Sequence, residues 1–414
     1  MKKLFNLVTI GILAIGLAGM GMSCGSSSSS GSSTTGVSSS LSSLPNANLT
    51  VSNVGSVAAQ VFDGVNAQPP SSVSSVVSSG PQLPVLSYMF SHLNNVVVKP
   101  QSMRGAVLNV LTNLKTLQTS GSSCSPTSIV NNSTGNNQSG TVYVTITWNS
   151  VPCTDPSTGT QMTINGSASV NGSYDGSSGT VSITTSLDVS AGENFTNGGS
   201  AQINFKGGES VNGSGIATTN ITYTEKGSLN ISGSVTNMPI DAGCGTTGTT
   251  TASGSFNGWM TIDDSFTGSP NSLASSKEDG NETDISGTLS NGSSETFKQG
   301  SYAKASITIS STSQTTRTIN GSGTFGQIVT GTATSTCGTP VTNSASYSGK
   351  VSVGLRNITF NDAICSGQWP ANGTLTITAD RTFTVDFSVN SNGSNCGCAN
   401  VSEGSGAAKL DCNL

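Results

Sequence analysis

Thr141–Trp148 reads TVYVTITW, an unbroken alternation of polar and apolar residues. Val142, Val144, Ile146 and Trp148 fall on one side, and Thr141, Tyr143, Thr145 and Thr147 on the other. A period of two sustained over a run this long is the mark of a half-buried β-strand. The same grammar recurs at Val181–Val189, Leu229–Val235, Ile285–Leu289, Ala305–Ile309 and Val351–Leu355. Between these runs stand the turn formers Asn165-Gly166, Asn171-Gly172, Asp175-Gly176 and Asn291-Gly292. Short connections demand antiparallel neighbours, because a parallel crossover needs about a dozen residues or more. The expectation is a long up-and-down meander with one aliphatic face and one face of Thr, Ser and Asn, curled or closed into a barrel. Gly233, Gly287 and Gly323 sit inside it, where glycine permits a bend or a close backbone approach.

One hairpin can be set in register. Leu375, Ile377 and Ala379 precede Asp380–Thr382, and Phe383, Val385 and Phe387 follow. A three-residue loop over Asp380–Thr382 pairs Ala379 with Phe383, Ile377 with Val385 and Leu375 with Phe387, all on one face. A two-residue loop mixes the faces, which a half-buried sheet does not tolerate.

Upstream of the strands, from Asn46 to about Leu117, the period is helical. Val51, Val54, Val57, Ala58, Val61, Phe62 and Val65 form one stripe, ended by Pro69-Pro70. Leu86, Met89, Phe90, Leu93 and Val97 form a second, and Val107, Leu108, Leu111 and Leu114 a third. Apolar stripes need a partner surface, and the aliphatic face of the sheet is the one expected. The fold class is therefore α+β, mostly β, with N-terminal amphipathic helices packed on a large antiparallel sheet. The chain divides into a leader at 1–23, a Ser/Gly-rich flexible tether at 24–45, a helical segment at 46–120 and a disulfide-bonded β domain at 121–414.

The leader has basic Lys2 and Lys3, an apolar run over Leu4–Leu17, and small residues leading to Ser23-Cys24. That layout is a secretory signal, and the apolar run is too short for a stable membrane span. With a cysteine closing the small-residue region, it resembles a bacterial lipoprotein signal, although Gly21 and Met22 stand where that family usually has leucine and a small residue. The resemblance implies cleavage before Cys24, acylation of its thiol and a palmitate-type lipid anchor. Gly25 after the cysteine resembles lipoproteins sorted to the outer membrane. Gly25–Gly36, almost pure Ser, Gly and Thr, suits a leash behind such an anchor.

Composition narrows the environment. Charged residues make up only 8% of the 414, and the net charge is −5, against about a quarter charged in ordinary soluble domains. Without a basic cluster, nucleic acid is not an expected partner. Setting Cys24 aside leaves Cys124, Cys153, Cys244, Cys337, Cys365, Cys396, Cys398 and Cys412. An even set behind an export signal reads as a disulfide framework. Cys124 and Cys153, which flank Thr141–Trp148, are the preferred pair, and Cys365 closes on Cys396 or Cys398.

Catalytic chemistry finds little to build on. His92 is the sole histidine and sits beside, not on, an apolar stripe, so His-based zinc sites and hydrolase triads lack parts. Cys396-Gly397-Cys398 lacks the spacing of a redox pair. Lys277–Asp284, near Asp263 and Asp264, gathers acidic ligands but does not match an EF-hand and reads as a solvated hairpin loop rather than a calcium site. The Asn-x-Ser/Thr triplets at Asn165, Asn212, Asn320 and Asn372 are assigned to turns. No metal, cofactor or enzymatic activity is expected. The leading expectation is a lipid-anchored envelope lipoprotein, outer-membrane or surface-exposed, with a structural, adhesive or assembly role and with envelope proteins or further copies of itself as partners. The competing one is a carrier holding a lipid or other apolar ligand between sheet and helices.

Overall fold

The computed structural model describes residues 34–50, 54 and 126–412, apart from short breaks of which 241–249 is the longest. Ten long strands dominate: β3 (Ser139–Thr154), β4 (Gln161–Asp175), β5 (Thr180–Asn194), β6 (Ser200–Ser214), β7 (Ile221–Ile240), β8 (Thr250–Ser269), β9 (Ser272–Leu289), β10 (Ser294–Ser313), β11 (Thr316–Ser335) and β12 (Val341–Asn361). The short β1 (Ser128–Asn131) and β2 (Thr134–Gly135) lie against β3. At the other end β13 (Asn372–Thr378), β14 (Thr382–Asp386), β15 (Ala399–Glu403) and β16 (Lys409–Asp411) complete one 16-stranded antiparallel sheet. From β3 onward every strand pairs with its sequence neighbours, so the meander read from the alternation is what forms. The ladder is an open path from β1 to β16. The described strands therefore make no closed barrel.

Each recognisable run is only the centre of a strand of 15 to 21 residues. The flanks carry Gly and Ser in the inward phase, which hides the alternation without breaking the ladder. Asn165-Gly166 and Asn171-Gly172, expected as turns, both lie inside β4. The other two turn signals hold. Asp175 ends β4, and Gly292, at φ 89°, lies in the β9–β10 connection.

The internal Asn-Gly pairs serve β-bulges instead. At Asn165-Gly166 the β3–β4 register shifts between Trp148 and Val151. Ser150, at φ 52°, donates its N–H to Asn165 Oδ1 at 2.7 Å. At Asn320-Gly321 the same device recurs: Asn357, again at φ 52°, donates to Asn320 Oδ1 at 2.7 Å. Gly166 and Gly321 have φ of 125° and 147°, backbone that a side chain resists. Asn165, Asn212, Asn320 and Asn372 thus stand in strands, not turns.

The two faces differ as expected. Register places Val144, Val170, Phe205, Tyr223, Ile307, Phe325, Val353, Leu375 and Val385 on the aliphatic face. The main core forms there, chiefly from β10 to β15, and includes Ala47, Leu49 and Val54 from the N-terminal segment. The opposite face is a lattice of hydroxyls, with cross-strand pairs such as Thr296–Thr332 and Ser169–Ser186, each at 2.7 Å.

The β13–β14 hairpin keeps the expected faces but not the expected register. Thr378 pairs with Thr382, Ile377 with Phe383 and Leu375 with Val385, so the three-residue loop is 379–381. A shift of this kind leaves every side chain on its face, and the apolar pattern cannot distinguish the two registers. The tip is held from outside instead: Asp380 Oδ1 accepts from Leu49 N at 2.8 Å, and Asp380 N donates to Ala47 O at 3.2 Å.

Candidate functional site

The N-terminal segment enters the sheet through a notch. Helix α1 (Thr34–Ser43) lies on the hydroxyl face, within the stretch expected to be flexible tether. Its Val37 and Leu41, with Leu44 just past its end, meet Trp259, Tyr302 and Ile328, the main apolar patch on that face. Gly280, Tyr302, Gly326 and Lys350 form one cross-strand row beneath it. The glycines make the seat. A Cβ on Gly280 would stand 2.8 Å from Val37 Cγ2, and one on Gly326 2.9 Å from Leu41 Cδ2.

Polar contacts rivet the seat. Ser38 Oγ donates to Glu278 Oε1 at 2.6 Å, and Lys304 Nζ approaches Glu278 Oε2 at 2.8 Å. Tyr302 donates its hydroxyl to Glu282, which also pairs with Lys298. Burial pushes the Tyr302 phenol well above its usual range. Lys350 Nζ donates to the carbonyls of Leu41 and Ser42 at 3.0 and 3.3 Å, capping the helix C-terminus with a cation.

Beyond α1 the chain changes face. β13 ends at Thr378, opposite Ser352, which leaves the β12 edge open above that point. Residues 45–47 fill it: Lys350 N donates to Pro45 O, and Ala47 N to Lys350 O, both at 2.9 Å, making an isolated parallel bridge. Leu49 is then fully buried on the aliphatic face. The first part of the expected helical segment, 46–50, is therefore extended. Most of its remainder, with His92 and the stripes at 86–97 and 107–114, lies outside the described residues.

A second constellation was not legible as a site. Glu209, Glu225, Asp264 and Lys277 are each at least nine-tenths buried on the aliphatic face. Glu225 stands opposite Asp264, Asp264 opposite Lys277, and Lys277 opposite Ala305. Lys277 Nζ bonds Asp264 Oδ2 at 3.1 Å and also pairs with Asp279. Tyr223 donates to Glu225 Oε2 at 2.5 Å. Burial, reinforced by the neighbouring Glu225, pushes Glu209 up to about 9. Burial likewise raises Asp264 to about 7 against the pull of Lys277. Burial opposes the charge on Lys277, but Asp279 and Asp264 outweigh it and raise its pKa. Lys277–Asp284, read as a loop, is the middle of β9. The usable signal was parity: Tyr223 and Glu225 share the inward phase of Leu229 and Ile231.

The C-terminal cysteines pair as Cys365–Cys396 and Cys398–Cys412. The first selects one of the two expected partners for Cys365 and ties helix α2 (Asp362–Cys365) to the segment following β14. Buried Asn390 donates to Pro370 O and Cys398 O at 3.0 and 2.9 Å, fixing that corner. The sulfur of Cys153 and all of Cys24, Cys124, Cys244 and Cys337 lie outside the described atoms.

Among the described residues, shallow concavities occur on the sheet. One of about 310 Å³ is lined by Ser182, Asn212 and Thr224, and another of about 460 Å³ by Asn257, Asp284, Lys298 and Thr330. Both are hydroxyl-lined troughs rather than enclosed apolar chambers. Among the described residues no group of His, Cys, Asp and Glu is arranged to hold a metal ion, and no helix is long and apolar enough to cross a membrane. Comparison with known protein-family models, curated proteins and solved structures gives no match to this chain.

Proposed function

We propose that the chain is a lipid-anchored lipoprotein of the cell envelope, held at the outer membrane or surface through Cys24, with a structural, adhesive or assembly role for its sheet. The observation that carries the reading is the seat of α1, which begins ten residues past Cys24 in the sequence. A chain tethered at its N-terminus needs a firm joint between leash and body, and the riveted helix supplies one. The C-terminal disulfides support an oxidising compartment. The broad, low-charge hydroxyl face suits contact with other envelope components.

Mass analysis of the mature N-terminal peptide tests the anchor. A diacylated Cys24 at the new terminus is expected, and Cys24→Ser should release the protein from the membrane fraction. An unmodified cysteine, or cleavage elsewhere, refutes the anchoring. Chain that stays monomeric at high concentration and binds no envelope surface would refute the assembly and adhesive roles.

A further inference from the structure

Among the described residues the buried charges on β6 to β9 do not balance. Glu209, Glu225, Asp264 and Asp279 bring four carboxyl groups to one patch of the aliphatic face, and Lys277 is the cation among them. The Lys277 ammonium is committed to Asp264 and Asp279. Glu209 and Glu225, diagonal neighbours across β6 and β7, lie within hydrogen-bonding reach of each other and face no cation among the described residues. Opposite Glu209 stands Gly227, which offers no side chain. On β5 the Thr185 hydroxyl accepts from the Glu209 backbone N–H at 3.1 Å. On β10 the facing residues are Ala303 and Ala305. Glu209 Oε1 and Asp264 Oδ1 have no hydrogen-bond partner.

Two adjacent carboxylates cannot both ionise in so dry a place without a counter-ion, and a shared proton resolves the conflict. Tyr223 already supplies one donor to Glu225, leaving Glu209 as the acid that holds the proton. We propose that Glu209 and Glu225 form a proton-operated lock between β6 and β7, closed while one proton lies between them and released when the pair must ionise and admit water. The proton goes to solvent on opening and returns on closing, with no other bond made or broken.

The test follows amide hydrogen exchange in β6 and β7 of the full chain from pH 7 to 9, above the range in which the neighbouring Asp264 titrates. For one proton released on opening, the opening equilibrium rises about tenfold per pH unit beyond the intrinsic chemical increase. Glu209→Gln keeps a hydrogen-bond donor towards Glu225 but has nothing to lose, so its opening should be independent of pH over that range. Glu225→Gln leaves Glu209 buried but facing a neutral amide, so it should shift the opening to a different pH without abolishing it, and it serves if the first variant fails to fold. A protonated carboxylic acid band in the infrared spectrum of the native protein that persists at pH 8, above the Asp264 titration, and is absent from Glu209→Gln is also expected. The lock is overturned if Glu209→Gln keeps the full pH dependence, if that band is missing from the native protein, or if added sodium or calcium at pH 9 closes the native strands again. The last result would make the pair a cation site.

Discussion

At the scale of single residues, the most informative positions are the Asn-Gly pairs. In a short hairpin Asn-Gly makes a type I′ turn, because both residues tolerate positive φ. Here the same two properties serve a bulge: Asn320 Oδ1 collects the unpaired N–H of Asn357, and Gly321 takes the positive φ beside it. Gly321→Ala should cost about 1–3 kcal/mol, the usual cost of forcing a side chain into such backbone. A Cβ at Gly192 would lie 3.6 Å from Ala201 O, an ordinary contact. Gly192→Ala should therefore be neutral or add up to about 1 kcal/mol. Urea unfolding of the two variants side by side checks both; equal losses would contradict the role given to Gly321. Bulge and turn share one local chemistry, so the sequence alone could not separate them. What separates them is the partner strand.

At the scale of elements, β-strands proved easier to read than the first helix. The centres of β3, β5, β7 and β12 announce themselves by alternation, whereas their Gly- and Ser-rich flanks do not. Helix α1 was hidden for a related reason: a serine-rich stretch with Val37 and Leu41 carries little apolar weight, and its seat consists of glycines that only register brings together. Leu41→Ala should cost about 2–5 kcal/mol, as for other buried leucines. It should also expose Thr34–Ser43 to limited proteolysis; unchanged protection would argue that the polar rivets alone hold the helix. The disulfides were legible as a set but not in their pairing. Peptide mapping should recover Cys365–Cys396 and Cys398–Cys412, and reducing them should lower stability by about 2–4 kcal/mol each in the chain-entropy picture. Cys396 joined to Cys412 in the map would contradict the corner built around Asn390.

At the scale of the molecule, the buried acids give the fold an unusual response to pH. Glu209 and Asp264 both titrate higher in the folded chain than unfolded. The folded state therefore holds more protons, and stability is lost as pH rises, from about 4 to about 7 for Asp264 and from about 4.5 to about 9 for Glu209. Glu278 acts in the opposite sense: its hydrogen bonds from Lys304 and Ser38 outweigh burial and lower its pKa, so its contribution fades in acid. A thermal midpoint that is highest near pH 5 and declines towards pH 9 is expected. A flat profile above pH 5 would count against the buried acids as the source. The sheet as a whole was evident from its period, but this behaviour was not, because charged residues in an apolar phase look like interruptions until their neighbours are known.

The passage of residues 45–49 from one face to the other also has a mechanical meaning. A pull on the chain ahead of Thr34 does not peel an outer strand away one hydrogen bond at a time. It reaches α1 first, then the Pro45–Ala47 bridge to Lys350, and then Leu49 lodged on the far side like a toggle behind a buttonhole. Force on that end of the chain is thereby delivered to the interior of the ladder, where many bonds share the strain, while the outermost strands are spared.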